Sequence, residues 1–324
     1  MYADLLQSVA LSDAQHGSVT LRKIKGKEYL YRTTKDGAKR RQTSLGRADD
    51  PAAQAKANAV AQAAAAAKAL RTTVSALKKA HIPAPSLALG RVLEVIANAG
   101  LFKQGVILVG TAAYQTYPCL VGAYLPSGAL STGDADLLVS SFVAKREPQD
   151  LEKILQRADP TFKAHMSRDD TLPKVFKAAN HFQVDILTEF GRGRKSPRPV
   201  HDLLCSAEAL PFMEYLGEES IEAVALYGTG VLISVPAPMR YAIHKLLVAQ
   251  ERKARSVKRA KDLKQAKDLI DVFAETDSAA FEEALAEARA RGARWKKNID
   301  ASLREIGRDL RQPQLFTTAK PRRR

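Results

Sequence analysis

The chain has 324 residues, 45% of them hydrophobic and 27% charged, with a formal net charge of +16. Two or three modules with cores of their own fit this balance, and no run approaches the ~20 consecutive apolar residues of a membrane span. Its two cysteines, Cys119 and Cys205, exclude a disulfide framework and lack zinc-ligand spacing, and the first thirty residues carry no apolar segment of signal-peptide length, so the expected location is cytoplasmic.

A short helix is predicted within residues 1–15. Alternating β-formers then follow at Ser18–Lys23, Glu28–Thr33 and Arg40–Leu45. Gly turns at Lys25-Gly26 and Lys35-Asp36-Gly37 separate them, which predicts a three-stranded meander. Asp49-Asp50-Pro51 is an acidic cap with proline in the first turn, opening an alanine-rich helix to about Lys79. Between Val19 and Arg47 there are ten Lys/Arg and two acids. This strand-strand-strand-helix order with basic strands resembles the arm-type DNA-binding domains at the N-termini of phage-type integrases. The segment also reads as an appendage packed on the main domain, and the sequence leaves both open.

His81-Ile82-Pro83-Ala84-Pro85 reads as a linker, and Ser86 caps a helix ending at Asn98-Ala99-Gly100. The buried strand Val106–Val109 runs into Gly110-Thr111-Ala112-Ala113, then a short helix to Tyr117-Pro118. A hairpin is expected at 121–131 around Pro126-Ser127-Gly128, and a strand at Asp134–Val139. Beyond it come a helix over 148–158, weak strands within 161–178, a strand over 182–188 and a Gly/Arg/Pro-rich loop at 191–199. Two paired strands follow at 221–227 and 230–235. From Pro238 only helices are predicted, with turns near 256–258, 276–278 and 291–293. The division is 1–80, 81–200 and 201–324, and the fold class is α+β.

Asp134 and Asp136 are two apart in a strand, so their carboxylates stand on one face about 7 Å apart at the backbone. Alone, an Asp-x-Asp is mostly surface decoration. Here Asp185 lies in a second apolar strand between Val184 and Ile186. Three acids on adjacent strands repel unless a cation lies among them, and magnesium takes hard oxygen ligands together with substrate phosphates. Upstream, Gly110-Thr111 at a strand-to-helix turn offers backbone N–H groups and a hydroxyl to an anion.

The ordered set Val109-Gly110-Thr111-Ala112, Asp134-Ala135-Asp136-Leu137 and Val184-Asp185-Ile186 resembles the polymerase-β-like nucleotidyltransferase superfamily, over about residues 86–275. Thr111 replaces the usual Ser or Gly, and the gap to Asp134 is longer than is usual. Downstream, Lys245, Arg252, the run Arg259-Ala260-Lys261-Asp262 and Asp268 resemble blocks of abortive-infection-type nucleotidyltransferase toxins and their bacterial relatives. Lys245 and Arg252 are seven apart and share a helix face, with Met239, Ile243, Leu246 and Leu247 on the core face.

The resemblance implies a mixed sheet with flanking helices and a helical C-terminal domain. It also implies transfer of a nucleoside monophosphate from an NTP to an acceptor hydroxyl. Asp134, Asp136 and Asp185 would be the catalytic carboxylates holding Mg (or Mn). Gly110, Thr111, Lys245, Arg252, Lys261 and Asp262 would bind nucleotide. The basic runs, including eight Lys/Arg against one acid between Arg252 and Lys267 and the tail Lys320–Arg324, favour RNA as acceptor. A toxin role with a cognate antitoxin is compatible with this chemistry. The competing readings are a catalytically inactive, nucleic-acid-binding or regulatory protein of the same fold, and exposed basic helices with salt bridges such as Lys258 to Asp262.

Overall fold

The computed structural model describes residues 1–11, 17–36, 39–127, 132–139, 148–166, 171–190 and 196–308. Two compact units result: residues 1–124 with 128–236, and residues 125–127 with those from 237 on. The tail Lys320–Arg324 and the tip of the expected hairpin lie outside the described residues.

The first unit begins with α1 (Tyr2–Leu11) and an antiparallel sheet of β1 (Ser18–Ile24), β2 (Lys27–Asp36) and β3 (Lys39–Arg47). Lys25 and Gly26 both have positive φ, 49° and 77°, as a tight turn between twisted strands requires. The long helix α2 (Pro51–Lys79) starts where Asp50 accepts a hydrogen bond from the Ala52 N–H at 2.9 Å. Leu5 and Val9 of α1 pack with Leu70, Val74 and Leu77 of α2, and with Val224 and Leu226 further along the chain. The Tyr2 hydroxyl accepts from the Val224 N–H at 2.9 Å.

Next come α3 (Leu87–Asn98), capped by Ser86, β4 (Val106–Val109), α4 (Gly110–Tyr114) and α5 (Tyr117–Val121). Of the hairpin expected at 121–131, only residues 121–127 are described, and they form no strand. Pro118 in its first turn starts α5 and Gly122, at φ 66°, ends it, and residues 123–127 turn without strand pairing. The sheet continues with β5 (Asp134–Val139), α6 (Leu151–Gln156), β6 (Lys163–His165), β7 (Val175–Lys177), β8 (Gln183–Glu189), β9 (Arg198–Val200) and β10 (Cys205–Leu210). Its order is β4-β5-β8-β10-β9, with β7 pairing the first half of β8 and β6 pairing β7. β5, β8 and β10 run parallel, while β4, β7 and β9 oppose their neighbours, so the sheet is mixed. After α7 (Met213–Gly217), β11 (Ser220–Ala225) and β12 (Val231–Pro236) form an antiparallel pair.

The second unit is helical: α8 (Pro238–Glu251), α9 (Val257–Thr276), α10 (Ser278–Ala290) and α11 (Ala293–Glu305). Tyr241 through Leu247 are all buried, so the middle of α8 is enclosed on every side, polar residues included. None of the described helices is long and apolar enough to cross a membrane.

Candidate active site

β5 and β8 share one burial pattern. Ala135, Leu137, Val184 and Ile186 are buried, and Asp134, Asp136, Gln183 and Asp185 are half-buried on the other face. The parallel register sets Asp136 directly against Asp185 and Asp134 against Gln183. One ligand atom from each of Asp134, Asp136 and Asp185 lies within 4.8 Å of the others, and among the described residues no other such group of three occurs. Carboxylates this close are held apart from charge repulsion only by a cation or by donors. Donors are present. Thr132 Oγ1 donates to Asp134 Oδ1, and the Gln183 side-chain amide donates to both oxygens of Asp185 at 2.6 and 2.8 Å. Neither Thr132 nor Gln183 figures in the sequence expectation. Gln183 was within reach of it, because two residues from Asp185 in a strand means the same face.

β4 flanks β5 on the side away from β8, with Val109 opposite Asp136. The next residue, Gly110, has φ +68°, and a Cβ there would lie 2.2 Å from Asp136 Oδ2. The carboxylate therefore fills the space that any side chain at 110 would need. Thr111 follows, 6% exposed. The donor set is all hard oxygen, three carboxylates converging on one point, which suits Mg or Mn and not the softer metals.

The downstream basic residues gather in the second unit. Lys245 Nζ lies 2.7 Å from Asp262 Oδ1, and Arg252 Nε lies 2.5 Å from Asp262 Oδ2. The Lys245 and Asp262 side chains are 8% and 1% exposed. Burial alone would raise the Asp262 carboxyl, but the Lys245 ammonium and Arg252 guanidinium hold it below the usual range. Asp262 thus turns inward to α8, and the surface pair with Lys258 is not made. Lys261 is half-buried beside this group. Arg259 donates to the Ala249 carbonyl at 3.1 Å and pairs with Glu305 at 2.5 Å, and Asp268 accepts from the Ser127 N–H at 2.9 Å.

His181 sits at φ 65° in a turn, and His201 opens a 3-10 turn. His244 is buried with neither ring nitrogen hydrogen-bonded. Glu189 ends β8. Arg291 stacks on Trp295 at 5.5 Å, and Arg22 on Tyr31 at 5.7 Å.

A mixed sheet bearing three convergent carboxylates beside a glycine turn defines a phosphoryl-transfer class of site. A family model described as nucleotidyltransferase matches residues 88–290. The chain belongs to that nucleotidyltransferase family, and the match includes Gly110, the three aspartates and the Lys245–Asp262 group. The crystal structure of an antigenic nucleotidyltransferase-like protein from Paracoccidioides brasiliensis is similar at 16% identity, over 66% of this chain and 92% of that one, with a TM-score of 0.33. No curated protein matches.

Proposed function

We propose that the protein moves a nucleoside monophosphate from an NTP to an acceptor hydroxyl, with RNA as the acceptor. The observation that carries this reading is the convergence of Asp134, Asp136 and Asp185 within 4.8 Å. Asp134, Asp136 and Asp185 would together hold the divalent metal. Bound Mg or Mn supplies charge neutralisation of the phosphates and acidifies the attacking hydroxyl. Gln183 and Thr132 fix the carboxylates in position before any ligand arrives. The Gly110-Thr111 turn brings backbone close to Asp136, where the leaving phosphates lie. Rate enhancement then comes from positioning and electrostatics, with no covalent intermediate required of the chain.

The convergence of three carboxylates on one point favours an enzyme over an inactive protein of the same fold, because such a cluster is suited to holding a divalent cation. RNA is favoured by the net charge of +16. The test is incubation with each labelled NTP, Mg or Mn, and total RNA. Label is expected on RNA with wild type and to be lost in Asp136→Ala. Equal incorporation by both proteins would refute the assignment.

A further inference from the structure

The sheet that carries the triad does not stop at β8. Its registers line up in two rows. Lys163 stands opposite Lys177, Lys177 opposite Gln183, and Gln183 opposite Asp134. In the next row His165 faces Val175, Val175 faces Asp185, and Asp185 faces Asp136. Residues directly opposite across a pair project to the same face. Lys163, Lys177 and His165 therefore share the face of the three aspartates. The other face confirms the alternation: Phe176, Val184 and Ala135 are 1%, 0% and 0% exposed. Lys163, His165 and Lys177 are all exposed.

Two lysines directly opposite one another destabilise a strand pair unless an anion lies across them. Among the described residues neither Lys163 nor Lys177 has an acidic partner. At ~4.8 Å per strand the pair lies about 5 to 10 Å from the Asp185 strand, on the side away from β5. The Gly110 turn lies on the opposite flank, beyond β5. The site thus has two flanks, a glycine turn on one side and a pair of exposed lysines on the other, with Asp185 between them.

We infer that Lys163 and Lys177 form a binding site for the phosphodiester backbone of a nucleic-acid acceptor, which approaches the triad from the β6–β7 flank. That the bound nucleic acid is the acceptor rests on the transferase function proposed above; the binding site does not. A strand with repeated phosphates fits better than a single anion, because the cations continue outward from the triad over two strands and the whole chain is strongly basic. The NTP phosphates are placed at the other flank.

The experiment uses the full chain and a labelled single-stranded RNA oligonucleotide, read by fluorescence polarisation without turnover. Each backbone contact contributes about 0.7 to the slope of log affinity against log salt for single strands. Lys163→Ala with Lys177→Ala is expected to flatten that slope by about 1.4. The same loss corresponds to roughly 25-fold weaker binding at 0.1 M salt, taking 1 M as the reference where the contribution vanishes. Lys163→Arg with Lys177→Arg keeps both slope and affinity. Affinity for Mg with a non-hydrolysable ATP analogue, and competition by tripolyphosphate, stay unchanged in the alanine variant. Unchanged RNA affinity and slope overturn the inference. So does a loss confined to the ATP analogue and tripolyphosphate, which would give the lysines to the NTP. Failure of the transferase reading appears separately, as labelled-NTP transfer that does not depend on Asp136.

Discussion

Gly110→Ala tests how the carboxylate cluster is held. Two effects follow from the geometry. A residue with a Cβ at φ +68° costs about 1–2 kcal/mol of backbone strain. The added Cβ would also meet Asp136 Oδ2 at 2.2 Å, whereas ordinary contact begins at 3.4 Å, so the carboxylate must retreat by about 1.2 Å. A displacement of about 1 Å at a reacting centre costs on the order of 100-fold in rate. Gly122 supplies the control. It has φ +66° and nothing within 4 Å of the Cβ position, so Gly122→Ala carries the same strain without the collision. Both variants should lose about 2–8 °C of Tm, from 1–2 kcal/mol in a unit of this size. Only Gly110→Ala should lose Mn affinity in calorimetry and about 100-fold in NTP transfer. Wild-type metal affinity and rate in Gly110→Ala would show that Asp136 is not braced by the turn.

Lys245→Ala leaves the 1%-exposed Asp262 with Arg252 alone, and breaking a buried pair costs about 3 kcal/mol; denaturant unfolding should show it, and undiminished stability with lost NTP affinity would instead make Lys245 a phosphate ligand. Burial, reinforced by the Lys245 charge, lowers His244 from 6.5 to about 3. The unfolded chain therefore binds the extra proton first. Stability is complete above pH 6.5 and falls by up to ~1.4 kcal/mol per pH unit as pH drops towards 3. His244→Leu should shallow that acid slope, as measured by unfolding midpoints from pH 7 to 4, and gain about 1 kcal/mol at pH 7 by removing two unbonded ring nitrogens. Deleting residues 1–80 removes Leu5, Val9, Leu70, Val74 and Leu77 from the cluster that covers Val224 and Leu226; the remainder should melt lower or aggregate in size-exclusion chromatography, and an unchanged Tm would make 1–80 an independent domain. Charge reversal at the exposed Arg22 and Arg40 is then the cleaner probe of polyanion binding by the basic sheet.

The carboxylate site was legible because a strand has a period of two and the acids interrupt apolar runs on that period. Val184-Asp185-Ile186 announces a polar face as surely as Asp134-Ala135-Asp136 does. The meander and α2 were legible from turn and cap chemistry: Gly26 and Asp50 act within a few residues of themselves. β10 was missed because Cys205–Leu210 alternates nothing and contains helix formers; it is a strand because β8 and β9 pair with it on either side, a long-range cause that no local window contains. Lys245, Arg252 and Asp262 are singled out in the sequence as nucleotide-binding residues, but their pairing with one another was not legible, for a related reason. Helical spacing predicts Lys245 and Arg252 on one face, yet α8 ends at Glu251 and Arg252 follows in extended backbone; spacing also does not say whether that face meets solvent or another helix. The packing of α9 along α8 decides it, because the buried Asp262 is stable only if both cations turn to it. Register belongs to the same class of information. Lys163, Lys177 and Gln183 are unremarkable in sequence, spread over twenty residues, and become one row with Asp134 only when three strand pairings are known. Charge along the chain could therefore suggest a polyanionic partner, while the pairing of β6, β7 and β8 is what assigns a particular pair of lysines to the face where the chemistry takes place.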